Sequence, residues 1–245
     1  MAAAASIFNQ FAPAVERELL TSTSSRRPIK ITVLLLGLAL VAVTAAARHR
    51  KSSNAEPGVF DYYLLSLSWS PAYCLSDPKA AECNGPRRFG FIVHGLWPQN
   101  EKGWPGNCNV HQPVPDAVVT NISDIMPARG LVYHEWSAHG TCSGLDPTGY
   151  FALIRRAYRG ISIPAVLSGP KQAVEQSPDA IVQAFLRANP KLSAASVVVT
   201  CSGQDAPRLR EVHICLDRSL NPRGCSADAS RGQCRADTLI VPPIR

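Results

Sequence analysis

Residues 60–69 run Phe-Asp-Tyr-Tyr-Leu-Leu-Ser-Leu-Ser-Trp, rich in aromatics and alternating apolar with polar toward the end. Successive side chains of a strand point to opposite faces, so this pattern predicts a half-buried strand. Residues 89–96 read as a second strand with His94 at its end, where Gly95 would let the backbone turn tightly. Residues 196–201 and 210–216 read as two more, joined by the turn-rich stretch 202–207, and 238–241 as a short last one. Helical spacing is clearest in the middle. Residues 148–158 place Tyr150, Phe151, Ile154 and Tyr158 near one face, and 179–188 do the same for Ile181, Val182, Phe185 and Leu186, bracketed by Pro178 and Pro190. Strands, then helices, then strands again predict an α+β fold, with a central antiparallel sheet flanked by helices.

The N-terminal region follows another pattern. Arg26-Arg27-Pro28-Ile29-Lys30 leads into an uncharged run, 31–47, rich in Leu, Val and Ala and closing on Ala45-Ala46-Ala47. A basic flank, an apolar core and small residues describe a secretory signal. The same run approaches the length that spans a bilayer. Two readings therefore stand for residues 1–47: a signal peptide, with the protein secreted or periplasmic, or a membrane anchor holding the rest outside the cytoplasm. Residues 48–58 are polar and read as a flexible tether, and 59–245 as one domain.

Composition narrows the class. Hydrophobic residues make up 46% of the chain and charged ones 18%, a globular balance. All eight cysteines follow the apolar run, and an even number in an exported chain argues for disulfides. A zinc site would want close C-x-x-C pairs, which the sequence lacks. The net charge is +7, and the part beyond residue 47 remains basic. Such a surface attracts polyanions, phosphate backbones among them, although a secreted protein can be basic for no such reason.

Candidate chemistry gathers in two segments. Phe91-Ile92-Val93-His94-Gly95-Leu96-Trp97-Pro98-Gln99 and His134-Glu135-Trp136-Ser137-Ala138-His139-Gly140-Thr141-Cys142 bring together imidazoles, a carboxylate and indoles. Imidazole titrates near neutrality, so two of them can act as base and acid in one reaction. A lone His94 would more often be a structural hydrogen-bonder. If residues 134–139 form a helical turn, Glu135 and His139 share a face and the carboxylate raises the pKa of the imidazole. His134 and His139, five apart, diverge on a helix, unlike the H-E-x-x-H pair of a zinc hydrolase. No metal or other cofactor is expected.

The two segments resemble the paired active-site motifs of the ribonuclease T2 family of secreted acid endoribonucleases, close to F-x-x-H-G-L-W-P and H-E-W-x-K-H-G-T-C, in that order. The resemblance runs from about Tyr62 to Cys215 or beyond. It implies a ribonuclease T2-like, disulfide-stapled fold and a metal-independent cleavage of single-stranded RNA through a 2′,3′-cyclic phosphate to 3′-phosphate ends. His139 would be the general base and His94 the general acid. Glu135 would stabilise the phosphorane or hold His139. His134 would contact a phosphate oxygen, Trp97 would stack on a base, and Trp136 would pack beneath the site. Gln99 stands where some relatives select adenine with an aspartate, so low base specificity follows. DNA, lacking the 2′-OH, would be inert, and the enzyme would act as a monomer. The implied disulfides are Cys74–Cys83, Cys108–Cys142, Cys201–Cys234 and Cys215–Cys225.

One position departs from the motif: Ala138 replaces the family lysine. Loss of such a donor can lower the rate by about 10²–10³. Either activity falls, or a cation from elsewhere, Arg87 or Arg88, substitutes. A non-catalytic relative that binds RNA or a protein is the competing reading.

Overall fold

The computed structural model of the chain describes residues 55–244. The leader expected at 1–47 and most of the expected tether lie outside the described residues. No helix among the described residues is long and apolar enough to cross a membrane.

The strands are β1 (Tyr62–Trp69), β2 (Phe91–Gln99), β3 (Val174–Gln176), β4 (Val197–Ser202), β5 (Arg208–Leu216) and β6 (Leu239–Val241). β1 lies antiparallel between β2 and β5, and β4 pairs antiparallel along the other edge of β5. β6 joins the start of β5 through the parallel pair Arg208 and Ile240, and β3 extends β6. The helices are α1 (Ser70–Ser76), α2 (Ala81–Asn84), α3 (Asp116–Ile122), α4 (Arg129–Ala138), α5 (Pro147–Arg159), α6 (Pro178–Ala188) and α7 (Ala227–Ser230). Both long helices start as a proline at the first helical position favours. The Asp146 carboxylate accepts from the Gly149 N–H at 2.6 Å, and the Ser177 hydroxyl accepts from the Ala180 N–H at 3.0 Å.

One sheet face carries the core. Tyr63, Leu65, Leu67 and Trp69 of β1, with Val212, Ile214 and Leu216 of β5, pack in one cluster with Phe151 and Ile154 of α5 and Phe185 of α6. The opposite face changes character along β1. Tyr62 and Leu64 form a small apolar cluster with Cys215, against which Trp97 packs, whereas Ser66 and Ser68 replace them toward the other end. That serine end faces the histidines.

β2 differs from its expected form in an instructive way. Instead of ending at His94 it continues to Gln99, and Gly95 stays in the ladder opposite Ser66. The register shifts at this point: Leu67 pairs with Val93 and Ser66 with Gly95, leaving His94 as the extra residue of a β-bulge. In a regular strand, residues three apart point to opposite faces. The inserted residue corrects the parity and puts His94 and Trp97 on the same face, the re-aiming for which bulges are used.

The disulfides are Cys74–Cys83, Cys108–Cys142, Cys201–Cys234 and Cys215–Cys225, the pairs implied by the resemblance. Cys108–Cys142 fastens the loop after β2 to the segment just beyond α4, where Ala138 O also accepts from the Asn107 N–H at 2.9 Å.

Candidate active site

Three elements meet on the serine-bearing sheet face: the bulge of β2, the last turn of α4 and the middle of β5. Glu135 comes from α4 and is wholly buried. Its Oε2 accepts from the Trp97 indole N–H at 2.6 Å, and its Oε1 lies 3.5 Å from His94 Nε2. This bridge passes directly over Gly95, where any Cβ would run into the Glu135 carboxylate and the Trp97 ring nitrogen. Glycine is required here for space, not for a turn. Burial pushes the Glu135 carboxyl up to about 7, and the neighbouring His94 and the Trp97 hydrogen bond offset only part of that rise.

His139 is the C-cap of α4, and its backbone N–H still donates to Glu135 O at 3.1 Å, the bond of a last helical turn. The Glu135 carboxylate is brought to Trp97 and His94. The His139 ring stacks on the Trp97 indole, with centroids 5.1 Å apart and planes at 28°. His94 meets the same indole edge-on at 5.2 Å. Two imidazoles from distant parts of the chain therefore share one aromatic spacer. Gly140 permits the chain to leave α4 here, because a Cβ would strike the rings of Trp136 and Tyr150. Trp136 is buried beneath, its indole N–H donating to Gln112 O at 2.8 Å.

β5 supplies groups the sequence reading passed over. Glu211 is buried, and its Oε1 lies 2.6 Å from His94 Nδ1 and accepts from the Ser68 hydroxyl at 2.9 Å. Its Oε2 lies 2.9 Å from His213 Nε2 and 3.6 Å from an Arg210 guanidinium nitrogen. Burial alone would raise the Glu211 carboxyl, but the hydrogen bonds from His213 and His94, and their charges, hold it well below the usual carboxylate range. Burial likewise works against a charged His94, yet the Glu211 hydrogen bond and the Glu211 and Glu135 charges outweigh it and raise the imidazole pKa. A signal existed in the sequence. Glu211 and His213 alternate with Val212 and Ile214, which puts two ionisable groups on one face of a strand.

The remaining expected residues divide. His134 is exposed on α4 and lines a groove with His94, Ile92 and Leu131. Trp97 is the spacer just described, half-buried, with His94, His139 and His213 around its ring. Gln99 is buried, and its amide donates to Pro98 O at 3.0 Å. Neither expected substitute for the missing lysine comes to the cluster. Arg87 sits over the Phe89 ring at 4.8 Å, and Arg88 donates to Cys83 O and Gly85 O at 3.3 Å. The guanidinium beside His94 is that of Arg210, in a groove also lined by Ser68, Tyr73 and Ser202. Among the described residues, no three His, Cys, Asp or Glu side chains converge as metal ligands do.

Chemically, the cluster offers an imidazole whose protonated form is favoured by its carboxylate neighbours, a second imidazole across an indole and a carboxyl raised to about 7. Those groups suit a reaction in which one proton is removed and another delivered. Residues 60–225 match the model of the Ribonuclease T2 family. A ribonuclease of Aeromonas hydrophila is 37% identical over 151 residues, covering 61% of this chain and 67% of that protein. Among solved structures, an RNase-related protein from Calystegia sepium superposes with a TM-score of 0.60 at 25% identity, over 76% of this chain and 98% of that one. RNase NT, solved in complex with 5′-AMP, has the same fold with a TM-score of 0.58 at 20% identity, over 76% and 100%.

Proposed function

The chain belongs to the ribonuclease T2 family and is an endoribonuclease of that type, and on this premise we propose that it cleaves single-stranded RNA without a metal ion, using His139 as base and His94 as acid. In the first step His139 takes the ribose 2′-OH proton, O2′ bonds to the adjacent phosphorus, and the P–O5′ bond breaks. His94 Nε2 gives its proton to the departing O5′, leaving a 2′,3′-cyclic phosphate and a 5′-OH. Water then opens the ring with the roles reversed, leaving a 3′-phosphate.

The observation that carries the assignment of roles is the His94–Glu211 contact of 2.6 Å. An imidazole whose Nδ1 is bonded to a buried carboxylate favours the imidazolium form, and a general acid has to begin protonated. Glu135 fits the same scheme. Below about pH 7 its carboxyl is protonated and can donate to a non-bridging oxygen of the phosphorane, whereas the ionised form would repel it. His134, at the groove rim, is suited to a phosphate oxygen, and Trp97 keeps the two imidazoles apart and aligned. Low base specificity fits a site in which Gln99 is buried.

Disulfides persist in oxidising compartments, which supports export. Residues 1–47 then act as signal or anchor ahead of the catalytic domain 59–245, and the protein works as a monomer. N-terminal sequencing of the mature protein distinguishes cleavage from retention.

The test incubates the disulfide-bonded protein in EDTA with a short RNA and with its all-deoxy counterpart, and identifies the products by mass. Cleavage of the RNA alone to 2′,3′-cyclic ends is expected, with His94→Ala and His139→Ala each lowering turnover by about 10²–10⁴. A requirement for added metal, or cleavage of the DNA, overturns the reading. Bound but intact RNA would instead favour a non-catalytic RNA-binding role, for which Ala138 is the mark.

A further inference from the structure

Glu211 bonds Ser68, His94 and His213 at once, yet the reaction above does not consume it. The carboxylate is 2% exposed and belongs to a central strand, β5. A charge in such a place is tolerated only when it is paired and hydrogen-bonded. Ser68 and His94 serve one oxygen, and His213 with the more distant Arg210 serves the other. Its donors come from β1, β2 and from β5 itself.

The contact with His94 is directional. An ionised carboxylate can only accept, so His94 Nδ1 must be the donor and its proton is committed to Glu211. The proton that can be exchanged with substrate is then confined to Nε2, the ring nitrogen 3.5 Å from Glu135 Oε1. Which nitrogen of a histidine works is set by the hydrogen bond the other makes. His213 is bonded to Glu211 through Nε2 and so fixes the carboxylate plane from the opposite side. Resting on the ribonuclease reading, we propose that Glu211, braced by His213 and Ser68, is the positioning residue of the general acid: it holds His94 as the Nδ1–H form, with its transferable proton on Nε2 aimed at the leaving oxygen.

The other charged neighbours of His94 act in known directions. Glu135, from α4, supports the imidazolium when it is ionised, and Arg210 opposes it. His139 lies across Trp97, while Tyr73, Glu82 and His134 line the adjoining groove. Of these, only Glu211 bonds Nδ1, so it alone can select the tautomer.

Glu211→Gln keeps shape and an acceptor while removing the charge, and two substrates read the result. A dinucleotide has an alkoxide leaving group that needs a proton, whereas a nucleoside 3′-(4-nitrophenyl phosphate) leaves without one. The variant is expected to lose about 10–100-fold in kcat on the dinucleotide, the scale of other positioning partners, and only a few-fold on the aryl ester. KM should change little, and the alkaline limb of the dinucleotide pH profile should move to lower pH. Equal losses on both substrates with an unmoved pH profile would make Glu211 merely structural and overturn the proposal. Imidazole nitrogen spectra of the unmodified protein provide a test independent of whether the variant folds: neutral His94 should carry its proton on Nδ1, and an Nε2–H form overturns the assignment. Failure of the unmodified protein to cleave either substrate would sink the ribonuclease reading, while the tautomer measurement would still decide the role of Glu211.

Discussion

The two faces of the central sheet obey different rules. On the face toward α5 and α6, Tyr63, Leu65, Leu67 and Trp69 of β1 and Val212, Ile214 and Leu216 of β5 are buried together, and the contacts are interchangeable in kind. On the other face the same strands carry Ser66, Ser68, Glu211 and His213, and β2 breaks its register to add His94. The first face stabilises without specifying chemistry. The second buries ionisable groups at a cost: burial raises Glu135, while the mutual hydrogen bonds and charges of Glu211, His94 and His213 overcome burial to raise His94 and lower Glu211. One sheet thus separates stability from reactivity by strand parity, with the bulge at His94 as the exception that completes the reactive face.

The largest expected effect breaks the stabilising face only. Phe185 is fully buried on α6 and meets Phe91 edge-on at 6.0 Å. Phe185→Ala should cost about 3–5 kcal/mol of unfolding free energy in denaturant titration. Turnover per folded molecule should stay near the parent value, because the cavity opens on the side away from His94. A matching collapse in kcat of the folded fraction would mean that the two faces are mechanically coupled and that the separation does not hold.

A second substitution tests the reactive face through pH. Glu135 is raised by burial from 4.5 to about 7, so the folded chain holds that proton more tightly than the unfolded chain does. Its contribution to stability is complete below about 4.5 and is lost as pH rises through about 7. Glu211 has the opposite sign: its carboxyl is lowered, so its contribution exists above the ordinary carboxylate range and disappears on acidification. Glu135→Gln removes only the first of these. The fall in stability between pH 5 and pH 8 should shrink by at most about 3 kcal/mol, the size of the shift converted at 1.36 kcal/mol per unit. Denaturation midpoints of both proteins at the two pH values measure it, and parallel curves would remove Glu135 from the set of perturbed groups.

How legible these faces were follows from the same difference. The apolar face announces itself through period: Tyr150, Phe151 and Ile154 on α5, and Ile181, Val182 and Phe185 on α6, recur at helical spacing and are buried as that spacing predicts. The histidine segments were legible as motifs, and His94, Glu135 and His139 do converge on Trp97. The geometry that joins them was not. A bulge is a mismatch between two strands, and a single strand's sequence does not contain it, so His94 read as an end rather than an insertion. The helical turn read across 134–139 ends at His139, the C-cap of α4, and the close packing of Gly140 against Trp136 and Tyr150 just beyond it is not written in the period of the segment. Glu211 and His213 were written plainly in an expected strand, and their shared parity was the signal. The exposed edge strand β3, Val174–Gln176, has no period long enough to read.

The smallest effect comes from a single methyl group and tests how tightly the reactive face is assembled. Gly95 lies under the Glu135–Trp97 hydrogen bond, and a Cβ there has no room without separating the two. Gly130, in the first turn of α4, meets nothing within 4 Å of its own hypothetical Cβ. The same change at both positions isolates packing from the intrinsic preference of alanine over glycine, which by itself favours alanine. Gly130→Ala should be neutral or slightly stabilising. Gly95→Ala should cost about 1–3 kcal/mol, the usual penalty for an overfilled site. It should also lower turnover, because moving Trp97 disturbs both imidazoles that pack on it. If the two variants match in stability and activity, Glu135 does not reach Trp97 across the strand. The carboxylate would then have to be held from elsewhere, and the reactive face would be looser than the apolar one.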